Sequence, residues 1–140
     1  MRIFLGILWG IVIFVCTCTV SFTLLLRNHF IYFVFTPHPN WRELLIFHFS
    51  DFRDNIYLIQ KIGHFSGFFI LALILSNFGR YKPGIYVSIS YGIFTEILQL
   101  FFLRDGRIAD MFIDSFGILL AYGLCRLFHS VRRHLLLQPK

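Results

Sequence analysis

Four stretches of this chain, residues 3–26, 62–79, 84–103 and 109–128, are apolar almost without interruption, and that pattern leaves few folds open. At about 1.5 Å per residue each stretch is long enough, or nearly so, to cross a hydrocarbon layer roughly 30 Å thick. In that layer the backbone must satisfy its own polar groups, which favours helices. The spacing therefore predicts an all-α fold: a four-helix transmembrane bundle in one domain. Arg80, Lys82 and Pro83 separate the second stretch from the third, and the turn-forming Arg104-Asp105-Gly106-Arg107 separates the third from the fourth.

Composition agrees. Hydrophobic residues make up 57 % of the 140 positions and charged residues only 14 %, against about 25 % in a soluble domain. The net charge of +6 does not point to nucleic acid, because the basic residues sit singly at the ends of apolar runs rather than in a stripe. There they can meet lipid phosphates and water, so membrane lipids are the expected partners. Cys16, Cys18 and Cys125 all lie inside apolar runs and read as packing residues, with no disulfide framework. No strong ligand spacing is present, so neither a metal nor another cofactor is expected.

The first stretch is longer than the ~7–15-residue core of a secretory signal. No alanine precedes Ala72, and Val15 and Thr17 suit a lipoprotein site poorly, so the segment is expected to be retained as a helix. Residues 27–61 are mixed and carry Pro37 and Pro39. Asn40 followed by Glu43 fits a helix start, which predicts a short interfacial helix over residues 41–49, between the first and second spans. Residues 129–140 read as a basic, surface-associated tail. Arg2, Arg80, Lys82, Arg126, Arg132, Arg133 and Lys140 fall on one side of this topology, close to helix ends. The positive-inside rule then places both termini in the cytoplasm.

Parity puts the start of the second span, the end of the third and the start of the fourth on one face, and the ionisable residues gather there. Lys61 and His64 open the second span, Glu96 and Gln99 lie late in the third, Arg104 and Arg107 form the loop, and Asp110 and Asp114 open the fourth. Each pair on a helix is spaced i, i+3 or i, i+4 and so shares a helix face. Glu96 should lie about 10 Å below its helix end, where a carboxylate costs roughly 2.5–3.5 kcal/mol to insert. It needs a proton, a partner or a wet cavity; His64, Arg104 and Arg107 are within reach. Plainer roles stand beside these. Asp110 can cap its helix, Lys61 can anchor at the interface, His64 can be an ordinary satisfied histidine, and Glu96 can sit in a structural ion pair. Gly63 with Gly67, and Gly117 with Ala121, have the spacing of close helix packing.

These residues resemble the VanZ-like family over residues 61–123. Lys61-Ile62-Gly63-His64-Phe65 resembles its Lys-x-x-His-Phe opening, and Glu96-Ile97-Leu98-Gln99 its Glu-x-x-Gln helix end. Arg104-Asp105-Gly106-Arg107-Ile108-Ala109-Asp110 resembles its loop, and Asp110 to Gly117 its last helix start. Leu103 departs from the pattern, standing where the family usually has glycine. The resemblance implies a multi-pass protein of the bacterial cytoplasmic membrane, from a family whose founding member is associated with resistance to the glycopeptide teicoplanin.

Two functions follow as expectations. One is a non-enzymatic envelope protein whose extracytoplasmic polar pocket, built from Lys61, Gln99, Arg104, Arg107 and Asp114, binds a lipid head group, a cell-wall precursor or a lipoglycopeptide and so modulates glycopeptide susceptibility. The other is a membrane-embedded enzyme using His64, Glu96 and Asp110 as an acid–base set on a lipid or envelope substrate. A solute transporter is disfavoured, since four helices are few and no broken-helix repeat is visible.

Overall fold

The structure, a computed structural model, describes residues 1–46 and 55–136. Five α-helices carry it: α1 (Arg2–Cys18), α2 (Phe22–Asn28), α3 (Asn55–Leu75), α4 (Pro83–Phe101) and α5 (Ile108–Leu136). A 3₁₀ turn spans Trp41–Leu45, and no strand occurs among the described residues. The helices α3, α4 and α5 are long and apolar enough to cross a membrane; α1 and α2 form a pair bent by 110°. The all-α membrane bundle expected from the apolar stretches is thus present, with a broken first element.

That break corrects the expectation of one helix over residues 3–26. Hydropathy runs through it unchanged, but local polar groups offer the backbone other partners. Thr19 leaves the helix in an extended conformation, and the Ser21 hydroxyl accepts the Leu24 N–H at 3.3 Å to start α2. The Thr19 hydroxyl accepts from the Tyr32 N–H and donates to the Tyr32 carbonyl, both at 3.3 Å. The Val20 N–H also donates to the Tyr32 carbonyl, at 2.9 Å.

Beyond α2 the chain returns in extended form, and the Thr36 N–H donates to the Phe101 carbonyl at 2.8 Å. Phe33, Phe35 and Trp41 pack their rings on Phe14, Phe101 and Phe102 near the end of α4. Such aromatic weight suits a membrane–water boundary. Asn40 caps the 3₁₀ turn, accepting the Arg42 N–H at 3.3 Å and donating to Glu43 Oε1 at 2.8 Å. The helix expected over 41–49 is therefore a short turn ending at Leu45, and residues 47–49 lie outside the described residues.

The core lies where α1, α3, α4 and α5 meet, around Ile13, Phe68, Leu71, Ile85, Ile118 and Ala121. α3 and α5 make the most extensive pairing. Gly117 allows it, because a Cβ there would lie 2.6 Å from the Phe65 carbonyl oxygen. Gly63 was expected to act in the same way but faces open space, and Gly67 makes only ordinary contact with Ile13. α1 is tied in by two bonds to backbone carbonyls: Trp9 Nε1 donates to Gly67 at 2.9 Å and Tyr91 Oη donates to Gly10 at 2.7 Å.

Two boundaries move. α3 includes Asn55 and ends at Leu75, so Lys61 and His64 sit well inside it rather than at its opening. α5 continues through Leu136, taking most of the expected surface tail into the helix. α4 closely matches its expected span. It opens on Pro83 and closes with the Arg104 N–H donating to the Gln99 carbonyl at 2.9 Å, while Leu103 adopts a left-handed φ of 53°.

Candidate functional site

Where α3 crosses the end of α4 and the start of α5, the bundle encloses a polar centre. Glu96 and Asp114 are 0 % exposed, and Lys61, His64, Gln99 and Asp110 are all buried. Helical spacing brings them here: α3 supplies Lys61 and His64 on one face, α4 supplies Glu96 and Gln99, and α5 supplies Asp110 and Asp114.

The centre has two halves. In the outer half Lys61 pairs with Asp110 Oδ2. Asp110 lies in the first turn of α5, where the unpaired N–H groups of a helix start favour a carboxylate. Tyr57 joins this half: Lys61 Nζ sits 4.5 Å from its ring centroid, the Arg107 guanidinium carbon 5.6 Å, and Arg107 Nη1 donates to its hydroxyl at 3.3 Å. In the inner half His64 Nδ1 lies 3.5 Å from Glu96 Oε1 and 3.4 Å from Asp114 Oδ1. Glu96 is held from two further sides. Gln99 Nε2 donates to Oε1 at 2.6 Å, and the Arg107 backbone N–H donates to Oε2 at 2.9 Å. Gly106 makes the second bond possible, since a Cβ there would lie 2.0 Å from the Glu96 carbonyl oxygen. The loop can cross the helix only because that position has no side chain.

Several buried polar atoms here have no hydrogen-bond partner: His64 Nδ1, Asp110 Oδ1 and both carboxylate oxygens of Asp114. One ligand atom from each of His64, Glu96 and Asp114 falls within 4.8 Å of the others, the arrangement of a possible metal site.

The structure thus assembles seven of the eight residues singled out from sequence: Lys61, His64, Glu96, Gln99, Asp110, Asp114 and Arg107, the last through its backbone as well as its guanidinium. Arg104 goes elsewhere. It was expected as a partner for Glu96, but its Nη1 donates to the Val20 carbonyl at 3.1 Å, at the bend between α1 and α2. Burial pushes its guanidinium below the usual arginine range. The acid–base grouping also shifts, because Asp114, not Asp110, faces His64. Tyr57 was missed. It precedes the apolar stretch, and only its i, i+4 spacing to Lys61 on a helix that starts earlier would have revealed it. The cysteines are free and lie outside the polar centre.

Beside this centre a cavity of about 430 Å³ opens between α1, α2 and α3. Trp9, Cys16, Phe22, Leu26 and Gly63 line it, and His64 is part of its wall.

Comparison with known proteins places the chain among relatives. A family model described as VanZ/LLP1 matches residues 3–129, extending the resemblance through α1 and α2. A Bacillus subtilis protein described as an uncharacterized membrane protein, YwnJ, is 38 % identical over 117 residues, which cover 83 % of this chain and 84 % of that protein. No solved structure matches.

Proposed function

This chain belongs to the VanZ/LLP1 family, and we propose that it is a bacterial envelope protein whose cavity beside His64 holds the apolar tail of a lipid-linked envelope molecule. In this reading both termini lie in the cytoplasm and the polar centre lies toward the extracytoplasmic face. Occupancy of the cavity changes how a lipid-tailed glycopeptide such as teicoplanin reaches its target. One observation carries the reading. His64 belongs both to the wall of the apolar cavity and to the buried carboxylate cluster. An apolar volume of about 430 Å³ with a polar group at its edge has the size and character of a small-ligand site.

Gly63→Leu tests it. Gly63 lines the cavity and a Cβ there would meet no neighbouring atom, so a leucine adds apolar volume at the cavity, and in a helix it is the better former. The full chain, purified in mild detergent, is expected to carry a defined lipid-linked species detectable by mass spectrometry. Gly63→Leu is expected to accumulate normally, lose that species and lose any effect of expression on teicoplanin susceptibility. Equal lipid content in the two proteins would overturn the reading.

A second reading, a membrane-embedded acid–base enzyme, is favoured by the histidine whose Nδ1 faces two carboxylates, groups between which a proton can pass. It predicts that His64→Ala and Asp114→Asn leave the bound species in place but stop its conversion.

A further inference from the structure

We infer that His64 Nδ1, Glu96 Oε1 and Asp114 Oδ1 form a binding site for a divalent transition-metal cation of the zinc or manganese class. The inference does not depend on what fills the cavity. It starts from distances. His64 Nδ1 lies 3.5 Å and 3.4 Å from the two carboxylate oxygens. An N–H···O hydrogen bond spans about 2.7–3.2 Å, so these contacts are too long to be good ones. Metal bonds of about 2.0–2.2 Å from imidazole nitrogen and carboxylate oxygen, set at tetrahedral angles, separate neighbouring ligand atoms by roughly 3.4 Å. Both distances from the imidazole nitrogen match that spacing, and the three ligand atoms all lie within 4.8 Å of one another.

The unsatisfied atoms point the same way. Asp114 is 0 % exposed and neither of its oxygens has a hydrogen-bond partner; His64 Nδ1 has none either. Native proteins leave few such groups unpaired, because each unpaired one costs free energy in a dry interior. Lys61 is committed to Asp110. Glu96 and Asp114 add two carboxyl groups to a site whose third side chain is a histidine, and a dication offsets both in their ionised form while leaving the imidazole neutral, the form that ligates.

The surroundings suit the role. Glu96 is oriented by Gln99 Nε2 on the ligating oxygen and by the Arg107 N–H on the other. Outer partners of this kind fix the direction in which a metal-bound carboxylate points. One nitrogen and two carboxylate oxygens suit zinc and manganese, whereas an all-oxygen set would suit calcium or magnesium. Three protein ligands also leave a coordination position open. No sequence spacing announces the site, because each ligand comes from a different helix.

The test uses the full chain in mild detergent. The protein is stripped with a chelator and then titrated with Zn²⁺ alone or Mn²⁺ alone, following stoichiometry by elemental analysis and thermal unfolding in parallel. One ion per chain is expected, with unfolding moved to higher temperature on addition and back on chelation. Asp114→Asn and His64→Ala should abolish stoichiometric binding. Gln99→Ala, which touches no ion and only frees Glu96, should weaken it by about 10–100-fold. Asp105→Asn, on an exposed carboxylate outside the cluster, should leave it unchanged. Where a ligand variant does not accumulate, the wild-type titration and Gln99→Ala decide. Wild-type protein that takes up neither ion, a protonated carboxyl shared by the stripped cluster that neither ion displaces, or binding that persists in Asp114→Asn would each overturn the inference.

Discussion

Polar groups are buried in two regions of this bundle, and the two are finished differently. At the bend between α1 and α2, Thr19 satisfies both backbone groups of Tyr32, Ser21 caps α2, and Arg104 takes the Val20 carbonyl. Arg104 Nε is the one buried side-chain atom among the described residues there without a hydrogen-bond partner. In the centre between α3, α4 and α5, four such atoms on His64, Asp110 and Asp114 are without one. Closing a helix break requires only that the backbone be paired. A centre that leaves buried carboxylate oxygens unpaired in an apolar layer carries a cost, and ionisable groups of that kind inside a membrane are candidates for function by default. The comparison separates polarity that holds the chain in shape from polarity left open at the proposed ligand site.

The largest expected effect breaks the centre from its outer half. Lys61→Met leaves Asp110 buried beside an apolar side chain, and removing one partner of a buried pair costs about 3–5 kcal/mol. Thermal unfolding in detergent should fall steeply, and a further Asp110→Leu change should recover much of the loss. If the single variant is as stable as wild type, the Lys61–Asp110 pair contributes nothing to the bundle.

Gly106→Ala comes next. Its methyl group would press on the Glu96 carbonyl and push the loop away, a strain of about 1–3 kcal/mol. Loss of the Arg107 N–H bond to Glu96 should accompany it, so metal affinity should fall together with stability.

Thr19→Val sharpens the contrast from the other side. It keeps the side-chain shape but leaves the Tyr32 N–H without its acceptor, for about 1–2 kcal/mol. Here stability should drop while ion binding stays at its wild-type value, because the Arg107 N–H still holds Glu96. A matching loss of binding would mean that the bend is part of the site.

The smallest effect has the opposite sign. Leu103 holds a left-handed φ of 53°, which glycine adopts freely, so Leu103→Gly should stabilise the chain by about 1 kcal/mol. Unfolding measured beside wild type would show the rise; a fall would mean that the exposed leucine side chain outweighs the backbone strain.

Much of the centre was legible because helical periodicity carries it. Pairs spaced three and four apart on apolar helices must share a face, and lipid excludes the outward alternative. The departure from the family pattern at Leu103 was informative too, since the position where relatives usually place glycine is left-handed here. The bend was hidden because Thr19, Val20 and Ser21 do not interrupt an apolar stretch, and what breaks the helix is a contact with Tyr32 that lies beyond α2. Arg104 misled for a related reason: its partner is a backbone carbonyl 84 positions away, to which charge pairing gives no clue. Which aspartate faces His64 depends on a single helical turn, and spacing alone treats Asp110 and Asp114 alike.

The short loop after α4 grips two things at once. Arg104 holds the carbonyl of Val20, just before α2, whose Phe22 and Leu26 form one wall of the cavity, and three positions later the Arg107 N–H holds Glu96. The loop is thus a yoke between the groove and the carboxylates. An occupant that spreads the groove therefore pulls first on the arginine latch, and through the loop on the N–H that holds the glutamate.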